Sequence, residues 1–179
     1  SDADKVHADW PGVKVMSAPG DLLDDPDIDL VVIATPNDTH FPLAKAALEA
    51  GKHVVVDKPF TVTLSQAREL ESLAKHCGRI LSVFHNRRWD SDFLTVSALI
   101  NEGQLGEVCY FESHFDRFRP QVRQRWREQA GPGSGIWYDL APHLLDQVVV
   151  LFGLPVSITV DLAQLRPGAQ STDYFHAVL

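Results

Sequence analysis

Two neighbouring stretches, VVIATPNDTH (residues 31–40) and KHVVVDKPFTVT (residues 52–63), decide how this chain folds. Each opens as a β-branched apolar run and closes on small, polar or charged residues. Runs of that kind suit strands of a parallel sheet whose faces are covered by helices. Between them, residues 40–51 place Phe41, Ala44, Ala47 and Leu48 at helical spacing, with Gly51 where a helix would stop. LSQARELESLAKHCG (residues 64–78) reads as a second helix, with Ser65 as N-cap and Gly78 as terminator. RILSVFH (residues 79–85) reads as a third strand. Upstream, VKVM (residues 13–16) reads as a short strand, and residues 22–28 as a polar connector or one helical turn. Strands separated by helices imply parallel crossover units. Residues 1–88 are therefore expected to form a Rossmann-like α/β domain built on a doubly wound parallel sheet, here incomplete.

Past Trp89 the pattern changes. Residues 92–103 form an amphipathic helical stretch, and GEVCYFESHFDRFRP (residues 106–120) alternates like a long strand with one open face. A charged loop punctuated by Gly and Pro follows over residues 121–135, then a helix over 136–153 and strands within 155–165 and 172–179. Residues 89–179 read as an α+β domain with a mostly antiparallel sheet. The chain opens on SDADKVHADWPGVKVM and stops on an alternating segment, which reads as a piece cut from something longer.

The bulk chemistry excludes several classes. A formal net charge of −8 over 179 residues argues against a nucleic-acid footprint. No apolar run approaches the roughly 20 residues that span a bilayer, so no membrane association is expected. Cys77 and Cys109 form no metal or redox motif, and a reduced cytoplasmic setting is the expectation. The eight histidines show no zinc spacing, so no metal is expected.

In open parallel sheets, ligands bind beyond the carboxyl ends of the strands. Ala34, Thr35, Asn37 and His40 lie beyond the first strand, Asp57, Lys58 and Pro59 beyond the second, and Asn86 and Arg87 beyond the third. A single ligand can touch all three groups. The plain alternative is turn chemistry, because Pro36-Asn37-Asp38 suits a turn and Thr39 an N-cap. Lys58 is harder to dismiss, since a surface lysine needs no adjacent proline to fix its direction.

The second constellation is YDLAPHLLD (residues 138–146). Asp139 and His143 are four apart and share a helical face. A carboxylate beside an imidazole holds the ring and raises its basicity, which suits a general base for an alcohol proton. The alternative is a surface pair, with Asp146 as a competing partner for His143. Pro142 is read as a first-turn proline. GPGSG (residues 131–135) is not a phosphate loop; its glycines let backbone approach a ligand or another loop. Arg87-Arg88 and Arg123, Arg125 and Arg127 are basic clusters that face phosphate or solvent. Trp126 beside Arg127 is either a stacking platform for a flat ring or partial core.

Taken in order, VVIATPNDTHFPLAKAALEAGKHVVVDKPFTVT, FHNRRWDSDF and SGIWYDLAPHLLD resemble the glucose–fructose oxidoreductase/inositol dehydrogenase (Gfo/Idh/MocA) family of nicotinamide-dependent oxidoreductases. The resemblance runs over nearly the whole chain. It implies a Rossmann domain followed by an α+β domain whose open sheet joins subunits into a homo-oligomer. Asp57-Lys58-Pro59 matches the family's Glu-Lys-Pro, placing Lys58 near nicotinamide and substrate. Asp139 and His143 match its Asp-x-x-x-His, with His143 as acid/base and Asp139 orienting substrate or imidazole. Asn37 and His40 match residues near the cofactor, and Asn86 and Arg87 a polar stretch on the nicotinamide side. Ala34, Thr35, Trp126 and Arg127 complete the expected cofactor contacts. Asp57 departs from the usual Glu, and Ser134 interrupts a glycine run.

The family's G-x-G-x-x-G would precede Ser1, so the chain as given is expected to bind cofactor weakly. The activity implied is oxidation of a secondary hydroxyl of a sugar or cyclic polyol with NAD or NADP, the loop around Arg123 to Arg127 supplying polar contacts to substrate. Alternatives are a carbonyl or imine reductase of the same fold, and a silent NAD(P)-binding sensor.

Overall fold

A computed structural model describes residues 2–179. The helix α1 (Asp2–Asp9) and the short α2 (Pro19–Leu23) precede a three-stranded parallel sheet. Its strands β1 (Leu30–Ile33), β2 (His53–Asp57) and β3 (Leu81–Phe84) stand in the order β1-β2-β3. Ile33 pairs with Val56 and Asp57 with Phe84, so all three strands run out at the same edge. The crossovers are α3 (His40–Glu49) and α4 (Leu64–Cys77). Ala44, Ala47 and Leu48 of α3 and Leu70 and Ala74 of α4 pack on Ile33, Val54 and Val56, all nearly or fully buried. At about 1.5–3 kcal/mol for each large apolar side chain removed from water, this layer is the main stabilising unit of the first half.

The sheet is parallel, as expected, and incomplete. Helices among the described residues cover one face, and on the other Val32 is 64% and Phe84 52% exposed.

Two local readings are corrected and one is met. Residues 13–16 are not a strand: they are irregular, with Val13 and Val15 exposed, and no described strand pairs with them. Thr63, not Ser65, caps α4. Its hydroxyl accepts from the Gln66 N–H and the Gln66 side chain accepts from the Thr63 N–H, each at 3.3 Å, a reciprocal box that satisfies two end donors. Gly78 closes α4 at φ 62°, a left-handed conformation that costs glycine no side-chain clash.

The second half begins with α5 (Ser91–Asn101). The alternating segment 106–120 forms no strand; it is irregular and largely exposed, with Tyr110 and Phe118 outward. Alternation specifies a face, but a strand also needs a partner edge, and none is present among the described residues. The antiparallel sheet consists of β4 (Thr159–Ala163) and β5 (Tyr174–Val178). The long helix α6 (Gly135–Phe152) lies between the two sheets in sequence, and Pro142 sits inside it, not in its first turn. Proline there removes an N–H and pushes on the carbonyl four residues back. Tertiary packing offsets the cost, because Leu140, Ala141, His143 and Leu144 are all buried.

Candidate active site

The three parallel strands deliver their carboxyl ends side by side, and α6 lies across them. At the β1 end, His40 is 1% exposed and clamps two loops: Nδ1 lies 2.8 Å from the Pro59 carbonyl and Nε2 2.9 Å from that of Thr35. Asn37 is also buried, and its amide donates to the Gly133 carbonyl at 2.7 Å. These two side chains are engaged by backbone and shape the ledge. Ala34 and Thr35 beside them are exposed, as is Asn86 at the β3 end.

Gly133 holds this junction together. At φ +73° its missing Cβ would stand 2.9 Å from Asn37 Cβ and 3.1 Å from Val62 Cγ2. The Gly-rich stretch thus lets backbone approach another loop, one of the two uses anticipated for it. Tyr138 adds a second tie, its hydroxyl donating to the Val62 carbonyl at 3.2 Å.

At the β2 end, the Asp57 carboxylate turns back to accept from the Lys58 N–H at 2.7 Å. The Lys58–Pro59 peptide is cis. The Lys58 ammonium reaches α6, donating to the Asp139 carbonyl at 2.7 Å and to its carboxylate at 3.1 Å. The break that Pro142 makes in the α6 ladder falls beside that carbonyl. Arg127 Nε stands 3.5 Å from the same carboxylate, and the Arg127 guanidinium stacks over Trp126 at 4.3 Å. Trp126 therefore has one face covered by its own neighbour. Burial alone would raise the Asp139 carboxyl; the Lys58 charge and hydrogen bond, with Arg127 and Arg117 behind them, hold it below its usual range.

His143 sits one turn along α6 and is 6% exposed. Its pKa is lowered from 6.5 to about 4, first by burial, then by the charges of Lys58 and Arg87, with Asp139 pulling the other way. This corrects the expectation that Asp139 holds the ring and raises its basicity: the carboxylate is spent on Lys58, and His143 Nδ1 has no hydrogen-bond partner. The imidazole is thus neutral at pH 7. Asp146 does not pair with His143 either. It receives Arg88 in a fork, Nε at 2.7 Å and NH2 at 2.6 Å, and lies 3.7 Å from His85 Nδ1. Arg87 turns to Asp90 at 2.8 Å and covers the Phe115 ring.

Asp139 also walls a cavity of about 340 Å³ whose lining includes Arg117, Arg127, Ile136, Leu165 and Tyr174. Lys58 and His143 lie outside that lining, so the cavity adjoins the Lys58 centre. Its far wall is fixed by Glu128, which accepts from Arg125 Nε at 2.7 Å and the Arg123 N–H at 2.9 Å and pairs with Arg166 at 3.2 Å. Arg166 also bonds Asp173 at 2.8 Å. Sequence reasoning missed His85, Arg117 and this buried network. The strand-end rule that selected Asn86 also reaches His85, one residue earlier; nothing in the sequence pairs Arg166 with Glu128.

The described residues include no group of three or more His, Cys, Asp or Glu side chains arranged to hold a metal ion. No helix is long and apolar enough to cross a membrane.

Comparison with known proteins gives a consistent picture. A family model described as "Oxidoreductase family, NAD-binding Rossmann fold" (GFO_IDH_MocA) matches residues 1–85, and its companion, the "C-terminal alpha/beta domain", matches residues 97–179. The chain is 82% identical over 179 residues to the uncharacterised oxidoreductase YdgJ of Escherichia coli, covering 100% of this chain and 52% of that protein. It is 41% identical to the scyllo-inositol 2-dehydrogenase (NADP(+)) IolW of Bacillus subtilis, covering 100% of this chain and 50% of IolW. Among solved structures, an oxidoreductase from Yersinia pestis superposes with a TM-score of 0.92 at 70% identity, covering 100% of this chain and 50% of that one. YvaA from Bacillus subtilis does so with a TM-score of 0.95 at 41% identity, covering 99% and 51%. The chain spans about half the length of the curated relatives it matches.

Proposed function

The chain belongs to the Gfo/Idh/MocA oxidoreductase family, and on that premise we propose that it forms the reaction centre of a nicotinamide-dependent dehydrogenase acting on a secondary hydroxyl of a sugar or cyclic polyol. The observation that carries this reading is that Lys58, from the first half of the chain, bonds Asp139 one helical turn from His143 in the second. The ammonium is paired and held in place, while the imidazole is buried and neutral at pH 7. A charged donor beside a neutral acceptor is what removal of a hydroxyl proton requires.

Bound NAD or NADP would accept the hydride from the substrate carbon, or return it in the reverse reduction. The exposed ledge of Ala34, Thr35 and Asn86 beside Lys58 fits the nicotinamide end of such a cofactor, with Asn37, His40, Asp57 and Pro59 shaping it from behind. Arg87 lies on the same side through its charge on His143. The pyrophosphate cradle of a Rossmann fold is not among the described residues. Lys58 uses two of its three donors on Asp139, and the third polarises the substrate oxygen and stabilises its developing negative charge. His143 takes the hydroxyl proton. Asp139 keeps Lys58 aimed and, with Arg127, edges the cavity that holds the rest of the substrate. IolW, whose name gives an inositol and NADP, supports the polyol class. Residues 1–88 serve as the cofactor domain and residues 89–179 as the substrate domain, the latter's sheet also joining subunits.

The test is nicotinamide absorbance followed over inositols, aldoses and simple alcohols with NAD and with NADP, on the protein in its full natural length. Turnover of a polyol that is lost in Lys58→Met and in His143→Ala supports the reading. Near-normal turnover in either variant refutes the assignment, and cofactor binding without turnover of any substrate favours a silent sensor.

A further inference from the structure

Three buried side-chain nitrogens among the described residues lack a hydrogen-bond partner: Arg87 Nε, whose guanidinium is paired with Asp90 through NH1, and one nitrogen on each of two imidazoles. His143 Nδ1 and His85 Nδ1 are both buried and make no hydrogen bond among the described residues. An unsatisfied buried polar atom calls for an explanation, and a catalytic role is one.

The two rings are neighbours by construction. Asp139, His143 and Asp146 follow each other at helical spacing on one face of α6. His85, the residue after β3, places Nδ1 3.7 Å from Asp146 Oδ1, one turn beyond His143. A proton on His85 would lower the basicity of His143, so the two rings lie within electrostatic reach of each other. Asp146 is held by Arg88, whose side chain is 47% exposed, while that of His85 is 24% exposed. The titratable groups form one file along this face, and exposure rises from His143 at 6% to His85 at 24%, with Asp146 at 12% beside it. The charges facing this file are Lys58 from the β2 end and Arg87 and Arg88 from the β3 end.

The proposed oxidation needs such a file. With a nicotinamide cofactor bound, the substrate C–H bond would break with its electron pair leaving as hydride to that cofactor, while the O–H proton goes to His143. Buried as it is, His143 holds a proton poorly at neutral pH and cannot pass it straight to bulk water. We propose that His85 is a relay residue, receiving at Nδ1 the proton that His143 gives up at Nδ1 and releasing the proton on its own Nε2 to solvent. No hydrogen bond joins the two Nδ1 atoms directly, and in this proposal solvent water carries the proton between them. Each imidazole gains a proton on one nitrogen, loses one from the other and returns to neutral, so no charge is stored. Asp146 positions the His85 ring and favours its transient cation. The inference rests on the dehydrogenase reading and adds a residue to it.

The experiment measures kcat, KM and the solvent deuterium isotope effect for the full-length protein and for His85→Ala, His85→Gln, Asp146→Asn and His143→Ala, with circular dichroism melts as folding controls. For a folded His85→Ala, the expected result is a kcat lower by about tenfold or more, KM little changed, a larger solvent isotope effect, and recovery on adding free imidazole. Should His85→Ala fail to fold, His85→Gln shows the same loss without the imidazole recovery, and Asp146→Asn displaces the acid limb of the pH–rate profile. Unchanged kcat in both His85 variants while His143→Ala is inactive overturns the relay and leaves the dehydrogenase standing. A kcat loss that imidazole does not restore, with no change in isotope effect, overturns it as well. Absence of turnover in the unsubstituted protein, or full activity in His143→Ala, overturns both together.

Discussion

The buried imidazole of His143 has a consequence for stability that needs no substrate. In the unfolded chain it binds a proton below pH 6.5; in the folded protein it stays neutral until about pH 4. Between those values the unfolded state holds more protons, so stability rises with pH across this window and falls as pH drops through it. The side chain is 6% exposed, so solvent screens little of the effect. At about 1.4 kcal/mol per pH step, the loss reaches about 2 kcal/mol at pH 5 and about 3 kcal/mol once pH is below 4. Urea unfolding of the protein and of His143→Gln at a series of pH values isolates this contribution, because the remaining titrations are shared. The stability difference between the two should move in favour of the variant by about 2 kcal/mol between pH 7 and pH 5. A difference that stays flat would show that His143 is not held neutral by its surroundings. It would remove the physical basis for calling it the base.

Other consequences are as direct. Lys58→Met should lower kcat by about 100-fold or more, since the donor at the developing oxyanion is gone, and the same change should raise the His143 titration midpoint in an NMR titration. Gly133→Ala should cost about 2 kcal/mol by overpacking, because its Cβ meets Asn37 and Val62 at φ +73°; a thermal melt reads the loss. Arg166→Met strips the guanidinium from Glu128 and Asp173, whose side chains are 7% and 6% exposed, and should cost about 3 kcal/mol by urea unfolding at pH 7. That deficit shrinks at acid pH, where the two carboxylates protonate. Thr63→Ala removes the box at the start of α4 and should cost about 1 kcal/mol in the same assay.

Much of this protein was legible one residue at a time. The β-branched runs at 30–33 and 53–57, the helical spacing of Ala44, Ala47 and Leu48, and the glycines at 51 and 78 specify strand, helix and stop through local sterics and burial. Those elements appear where the periodicity puts them. The strand-end rule led to Lys58, and helical spacing put Asp139 and His143 on one face. Local patterning is enough there because each decision depends on neighbours within a turn or two. It failed at residues 13–16 and 106–120, where apolar alternation was present but no partner strand was among the described residues, and at Ser65, where Thr63 with Gln66 made the better cap.

What tertiary structure alone decided is the chemistry. Asp139 and His143 are neighbours on one helix, and from that the sequence suggests a pair. Packing α6 across the strand ends brings Lys58 to Asp139 from 81 residues away, and the carboxylate is taken by the stronger charge. His143 is left buried beside two cations, so its basicity falls where the pair would have raised it. The same packing sets His85 and Asp146 against each other across 61 residues and joins Arg166 to Glu128. Burial and charge act through space, so the protonation state of a site is settled only when distant segments are placed.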